Sequence, residues 1–131
     1  MRWATREIDA PAAAVWQELV DVERWPRWGP SVVAVEAAPL PMSAATCGRV
    51  RTVAGVWVPF RVTDFDDGRS WSWVVAGVPA TSHRVEPLGT DRCRLGFGTP
   101  AWASPYLAVC RVAMRRIERA VTTAGRPDPG S

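Results

Sequence analysis

The 131-residue sequence contains no lysine, one histidine and one tyrosine, and it has no long apolar run. A membrane-spanning helix needs about 20 consecutive apolar residues, so the sequence predicts none. The amino-terminal residues also lack the apolar segment of a signal peptide, and we expect a cytoplasmic protein. Because 47% of the residues are apolar and 22% are charged, an intrinsically disordered chain is excluded.

Cysteine is also scarce, and the three cysteines show no CxxC spacing. A zinc site needs four ligands, and His83 is the one histidine that could join Cys47, Cys93 and Cys110. In a reducing compartment such residues are free thiols, and free cysteine is most often a small buried apolar residue. The sequence therefore predicts no metal site.

All 16 basic residues are arginine, and the net charge is +3. The arginines do not form one cluster: they alternate along strands, as in Arg49 and Arg51, or follow one helix face from Arg111 to Arg119. Nucleic-acid binding needs a continuous basic footprint, so we expect no nucleic-acid partner.

The length fits a single domain, and apolar periodicity predicts that it covers residues 1–124. A strand at residues 2–9 precedes a helix that begins at Asp9-Ala10-Pro11, with proline as its first helical residue. Its apolar side chains have helical spacing, and a second short helical turn covers residues 22–28. Residues 125–131 are rich in glycine and proline, which predicts a flexible tail.

Six further strands are predicted from alternating residues separated by turn signals, as in a meander of antiparallel strands. They cover residues 31–37, 47–53, 56–65, 70–76, 80–87 and 91–99. After Pro105 the apolar spacing becomes helical and predicts one long helix. This helix is the one predicted element long enough to cover an apolar sheet face.

Strand alternation predicts which side chains face the helix. A two-residue turn at Asp67-Gly68 fixes one register, and three-residue loops at 77–79 and 88–90 fix two more. The cross-strand pairs predicted in this way are Val62 with Trp73, Asp64 with Trp71, Trp73 with His83, and His83 with Leu95. All of these residues would then face inward.

Three polar residues near the predicted inner face allow more than one interpretation. His83 is either a core histidine with a satisfied hydrogen bond or a polar group that lines a ligand pocket. Asp64 either lies at the mouth of the same face or is a solvated carboxylate at a strand end. Tyr106 points its hydroxyl either into the pocket or towards the rim.

Two stretches of the sequence resemble the polyketide cyclase/dehydrase-like branch of the SRPBCC superfamily, which has the START-type, helix-grip fold. The first stretch is Ile8-Asp9-Ala10-Pro11 followed by Val15, Trp16, Leu19, Asp21, Trp25, Trp28 and Val32. The second comprises residues 67–73, 77–80 and 83–87. The resemblance covers about residues 3 to 122, and its opening motif is more specific for the fold than for a function.

The resemblance implies an α+β fold with a curved antiparallel sheet of about seven strands, two short helices after the first strand, and a long C-terminal helix. Between sheet and helix, members enclose a cavity for an apolar or aromatic molecule, typically without cofactor or metal. The ligand-binding residues expected here are Phe60, Val62, Trp71, Trp73, His83, Leu95, Phe97, Tyr106, Cys110 and Met114.

Three functions follow as expectations. The first is binding of a small apolar or aromatic ligand, such as a polyketide- or lipid-like molecule. The second is a cyclase or dehydratase in which His83 is the general base, Asp64 orients it and Tyr106 donates to an enolate oxygen. The third is an accessory protein with a closed core. We expect a monomer or homodimer and no membrane partner.

Overall fold

In the computed structural model, which describes residues 1–124, one antiparallel sheet curves around a C-terminal helix. The sheet has seven strands in the order β1-β7-β6-β5-β4-β3-β2. The strands are β1 (Arg2–Ile8), β2 (Val32–Ala38), β3 (Cys47–Thr52), β4 (Trp57–Asp66), β5 (Ser70–Val75), β6 (Val78–Pro87) and β7 (Cys93–Thr99). The helices are α1 (Ala12–Val20), α2 (Trp25–Trp28) and α3 (Leu107–Ala124), with 3₁₀ segments at Val22–Arg24 and Ala101–Tyr106. The predicted helix-grip fold is confirmed, and the predicted tail at 125–131 lies outside the described residues.

The turn between β5 and β6 differs from the prediction and changes the register of His83. It consists of Ala76 and Gly77, both with positive φ, and Val75 pairs directly with Val78. Positive φ at both positions is what a tight two-residue hairpin favours. With this turn alone, His83 would lie opposite Ser70, but a register shift between Ser72 and Val74 gives β6 one residue more than β5. His83 therefore lies opposite Trp71 on β5 rather than opposite Trp73.

The connection between β6 and β7 is also longer than predicted. Pro87 pairs with Cys93, so the loop spans residues 88–92, and β7 begins at Cys93. His83 consequently lies opposite Phe97, and Leu95 lies opposite Val85. The predicted pair of His83 with Leu95 was wrong by two residues, a shift that keeps both side chains on the inner face because strand side chains alternate with period two.

A register shift in β4 corrects the prediction for Asp64. Val62 lies opposite Trp73 as predicted, but Asp64 then lies opposite Ser72 and Phe65 opposite Trp71. A β-bulge inserts one residue and reverses the faces of the residues that follow it. Asp64 is therefore exposed, and Phe65 turns inward to lie 5.9 Å from the ring of Trp16.

The short helical region after α1 is held by side chains that bond backwards to α1. Trp25 Nε1 donates to the carbonyl of Leu19 at 2.9 Å, and Trp28 Nε1 donates to that of Glu18 at 2.8 Å. The buried Glu18 carboxylate also accepts from Arg24 and Arg27. A four-residue helix is unstable alone, so these bonds fix the position of α2. Pro11 is the N-cap of α1 rather than its first helical residue.

The long helix α3 covers the inner face of the sheet with one apolar stripe. Its buried side chains are Leu107, Cys110, Ala113, Met114, Ile117 and Val121, which have the helical spacing predicted from the sequence. On its outer side, Glu118 is 2.7 Å from Arg6 of β1. None of the described helices has the length and hydropathy to cross a membrane.

The cysteines divide into two buried and one exposed residue, so the prediction that all are buried was wrong for Cys47. Cys47 begins β3 near a sheet edge, whereas Cys93 and Cys110 lie in the core. Burial raises the pKa of the Cys110 thiol to about 11, so this thiol is protonated at neutral pH. Within residues 1–124, no cluster of His, Cys, Asp and Glu could hold a metal ion.

Candidate functional site

The space between the sheet and α3 is filled by the protein's own side chains. Most of the residues expected to bind a ligand are buried there, namely Phe60, Val62, Trp71, His83, Leu95, Phe97, Cys110 and Met114, and Trp73 is partly buried against them. Protein interiors of this kind are close-packed. An interior ligand would therefore have to displace a side chain.

The side chain that occupies the centre of this space is Trp25 from α2. Its ring stacks on Trp71 with centroids 5.4 Å apart and an interplanar angle of 7°. It also meets Trp73 at 5.3 Å and Phe60 at 5.6 Å, both at steep angles. Offset stacks and edge contacts at such distances are favourable aromatic geometries, so the group is well packed. Trp25 belongs to the opening motif of the family resemblance, but the sequence does not predict its place among the expected ligand-binding residues.

His83 belongs to a chain of hydrogen bonds inside this aromatic group. Its Nδ1 is 3.2 Å from the carbonyl oxygen of Trp71, which can only accept, so Nδ1 carries the proton. Nε2 is then an acceptor and takes a bond from Thr81 Oγ1 at 2.9 Å. Thr81 Oγ1 in turn accepts from Trp73 Nε1 at 3.0 Å. Both ring nitrogens of His83 are therefore already satisfied.

Burial also determines the charge of His83. The ring stacks on Trp71 with centroids 4.0 Å apart and contacts Phe97 edge-on at 4.8 Å. Desolvation in this apolar environment lowers the pKa of His83 to about 3, although the bond to the Trp71 carbonyl acts in the opposite direction. His83 is consequently neutral at physiological pH and is a weak base.

An open cavity lies at the end of the sheet where β6 begins and β7 ends. We call it the mouth cavity. Its volume is about 290 Å³, and it is lined by Val75, Val78, Pro79, Ala80, Thr81, Thr99, Pro100, Trp102, Ala103 and Tyr106. A neighbouring inner recess of about 50 Å³ shares Thr81 and Tyr106 and reaches His83, Phe97 and Cys110. The two spaces are neighbours, and the inner recess lies at the edge of the aromatic group.

Two hydroxyl groups give the mouth cavity polar points in an apolar wall. Thr99 is 1% exposed, and its Oγ1 has no hydrogen-bond partner among the described residues. A buried hydroxyl without a partner costs free energy, so Thr99 has a group available for a ligand. Thr81 Oγ1 already donates to His83 and accepts from Trp73, which leaves one further acceptor position.

The three residues predicted for catalysis do not form one group. His83 and Tyr106 both line the inner recess, whereas Asp64 is exposed on the other face of the sheet, beyond the bulge. Tyr106 is 42% exposed at the rim of the mouth cavity. Asp64 therefore cannot orient His83.

Sequence reasoning missed most of the mouth cavity. Val78 and Pro79 were assigned to a loop, and Thr99 was treated as the end of a strand. The one available signal is that Thr99-Pro100 precedes a short segment that contains Trp102, just before the long helix. Thr99 becomes part of the cavity wall because the pairing of β6 with β7 brings the first residues of β6 beside it.

Two larger surface grooves lie at the opposite end of the sheet. One has about 570 Å³ between α1, residues 40–42 and Phe65, with Asp21, Glu23 and Asp67 among its lining residues. The other surrounds the β4–β5 turn and is lined mainly by charged or polar residues. Apolar walls with few polar groups are typical of ligand sites, so the mouth cavity is the better candidate.

Comparison with known families supplies the decisive match: residues 4–126 match the family model described as polyketide cyclase/dehydrase and lipid transport. The chain belongs to this family. The family description supports a role in binding a hydrophobic ligand or in cyclisation, and agrees with the resemblance inferred from the sequence. Comparison with curated proteins gives no match.

Several solved structures share the fold of this chain at low sequence identity. XoxI from Bacillus cereus aligns with a TM-score of 0.73 and 13% identity, covering 96% of this chain and 98% of that chain. A START superfamily protein from Mycobacterium smegmatis gives 0.67 and 16%, covering 94% and 97%. The di-domain ARO/CYC BexL from the BE-7585A biosynthetic pathway gives 0.67 and 21%, covering 97% of this chain and 48% of that chain. These likenesses concern the fold alone.

Proposed function

We propose that this family member binds a small apolar or aromatic molecule with one polar group, in the mouth cavity and not in the centre of the fold. The observation that carries the proposal is the unpartnered, buried hydroxyl of Thr99 in an otherwise apolar wall. A ligand hydroxyl or carbonyl would bond to Thr99, while its rings contact Val78, Pro79 and Trp102. Tyr106 at the rim offers a second hydrogen bond.

The size of the cavity limits the ligand. Pockets for drug-sized molecules have about 300 to 1,000 Å³, and the mouth cavity has about 290 Å³. One or two fused rings fit, whereas a tetracyclic polyketide or a long acyl chain is too large. Of the expected ligand-binding residues, Tyr106 lines this cavity and His83 and Phe97 line the inner recess behind it.

Binding of 2-naphthol, measured by isothermal titration calorimetry, tests the proposal. We expect Thr99→Val to weaken 2-naphthol binding about fivefold, since a hydrogen bond contributes about 1 kcal/mol, and to leave naphthalene binding unchanged. Ala103→Trp should abolish binding of both probes because it fills the cavity. Thr63→Val, an exposed threonine on β4, is the matched control and should bind like the wild type.

Two results would overturn this assignment. One is the absence of binding of either probe to the wild type at millimolar concentration, which would favour the accessory protein with a closed core. The other is an equal loss of 2-naphthol binding in Thr63→Val and Thr99→Val, which would show that 2-naphthol does not bind in the mouth cavity.

A cyclase or dehydratase is the second candidate, favoured by the fact that His83 and Tyr106 line one recess. Its weakness is the state of His83, because both ring nitrogens are engaged and the pKa is lowered to about 3. A general base works best with a pKa near the operating pH. If His83 were the base with this pKa, turnover would be independent of pH between about 5 and 8 and would be lost in His83→Ala.

A further inference from the structure

The strand register divides the loops of the molecule between two ends of the sheet. Arg2 pairs with Thr99, Val75 with Val78 and Arg51 with Trp57. The chain start, the β3–β4 turn at 53–56, the β5–β6 turn at 76–77 and the 3₁₀ segment Ala101–Tyr106 therefore lie at one end, which we call the mouth end. The β4–β5 turn at 67–69, one residue longer than predicted, and the β6–β7 loop at 88–92 lie at the far end.

Exposed apolar side chains are concentrated at the mouth end. Of the ten large apolar residues that are exposed in the described chain, eight lie there and only Leu40 and Leu88 lie elsewhere. The eight are Met1, Trp3, Val33, Val53, Val56, Val78, Trp102 and Tyr106. Trp102 is the most exposed at 71%. Six of them lie in or next to turns, the chain start or the 3₁₀ segment and form a set of protruding tips. Trp3 and Val33 lie on strands, and the ring of Trp3 is covered by Arg84 at 4.3 Å.

Acidic residues are concentrated at the far end of the sheet, opposite the exposed apolar residues. The strand termini of the mouth end carry Arg2 and Arg51, and the first part of α3 carries Arg111. No aspartate or glutamate occurs between residues 36 and 64, 67 and 86, or 91 and 118. The far end carries Asp9, Asp66, Asp67, Glu86 and Asp91, together with Arg69 and with Arg92, which is ion-paired with Glu7 and Asp9. The mouth end is therefore apolar with positive charge, and the acidic groups are held away from it.

We propose that the mouth end docks on the surface of an anionic lipid bilayer. Tryptophan and tyrosine favour the boundary between water and hydrocarbon, and the arginines would be attracted to anionic headgroups. The far end, with its acidic groups, would point into water. The opening of the mouth cavity lies among the docking tips, so an apolar ligand could pass between bilayer and cavity without crossing water.

This proposal departs from the sequence-based expectation of no membrane partner. That expectation rested on the lack of a transmembrane segment, which does not concern a protein that touches a bilayer with its loops. The proposal needs no ligand in the cavity. Val56 and Arg51 belong to the proposed docking surface but do not line the mouth cavity, so they separate docking from ligand binding.

Co-sedimentation with vesicles tests the docking surface. We expect the protein to partition to phosphatidylglycerol/phosphatidylcholine vesicles, and less to pure phosphatidylcholine vesicles. Arg51→Gln should lower the partition coefficient about fivefold, since each basic residue near an anionic surface contributes about 1 kcal/mol. Val56→Ser should lower it several-fold and Trp102→Ser about tenfold.

The matched controls are Arg69→Gln and Leu40→Ser, exposed residues at the far end, which should partition like the wild type. Arg51→Gln and Val56→Ser should bind 2-naphthol normally, so failure of docking and failure of ligand binding are distinguishable. The proposal is overturned if the wild type does not partition to anionic vesicles. It is equally overturned if the far-end controls lower the partition coefficient as much as the mouth-end variants do. It is also overturned if sedimentation velocity shows a dimer that Trp102→Ser dissociates, because the same surface would then bind a second copy.

Discussion

Replacing Trp25 with alanine is expected to lower the free energy of unfolding by about 3 to 5 kcal/mol, the usual range for a buried tryptophan. The ring is almost fully buried, stacks on Trp71 and meets Trp73 and Phe60. The substitution also removes the Nε1–H bond to Leu19, which holds α2 against α1. Denaturant unfolding followed by far-ultraviolet circular dichroism measures the loss.

Trp102→Ala is the matched control for Trp25→Ala, because it removes the same side chain where it is mostly exposed. Its effect on stability should stay within about 0.5 kcal/mol. If Trp25→Ala does not fold, Trp25→Phe should fold with a smaller loss, since it retains an aromatic ring. Equal losses in Trp25→Ala and Trp102→Ala would contradict the packing described for the interior.

The same variant separates two locations for a ligand. Apolar cavities made by truncating a large side chain can bind a small aromatic molecule. Indole should therefore raise the Tm of Trp25→Ala by more than it raises the Tm of the wild type or of Trp102→Ala, because only Trp25→Ala offers it the interior space as well as the mouth cavity. Such a result would mean that the residues predicted from the sequence surround a space that Trp25 occupies, and that a natural ligand needs the mouth cavity or a displaced α2.

Acidification is expected to destabilise the fold through His83 by about 4 to 5 kcal/mol in total. Its pKa is lowered to about 3 in the folded protein, against about 6.5 in an unfolded chain. Between these two values the unfolded state binds more protons, so stability falls as the pH decreases from about 6.5 and the loss is complete below about 3. Above pH 6.5 His83 is neutral in both states and contributes no pH dependence.

Two measurements check the expectation for His83. Since the chain has one histidine, its Cε1–H nuclear magnetic resonance signal is unambiguous and should not titrate between pH 8 and 5. Carboxylates also titrate in acid, but they are common to the wild type and His83→Gln, so the difference between the two stability curves isolates the histidine. A midpoint near 6.5 in the resonance, or parallel stability curves, would show that His83 is not buried and neutral.

The elements of the fold could be predicted because each follows from local pattern. Alternation gave the strands, Asp67-Gly68 indicated a hairpin, and the spacing from Tyr106 to Val121 indicated the long helix. Strand alternation also predicted that Trp71, Trp73 and His83 face inward, because a register change of two residues leaves each side chain on the same face of the sheet. Asp64 was placed wrongly because a bulge depends on cross-strand packing, which the sequence of one strand does not show.

By itself, the sequence determined the order of elements, the family resemblance and the apolar character of the inner face, because these depend on motifs and on periodicity along the chain. The tertiary structure decided what occupies that inner face. Trp25 is distant in sequence from Trp71 and Trp73, and only the return of α2 beneath the sheet brings their rings together. The tertiary structure likewise decided that both ring nitrogens of His83 form hydrogen bonds, with Thr81 and Trp71, and that the ring is neutral. The mouth cavity and the separation of apolar tips from acidic loops arise from strand pairing, which joins residues that no local pattern relates.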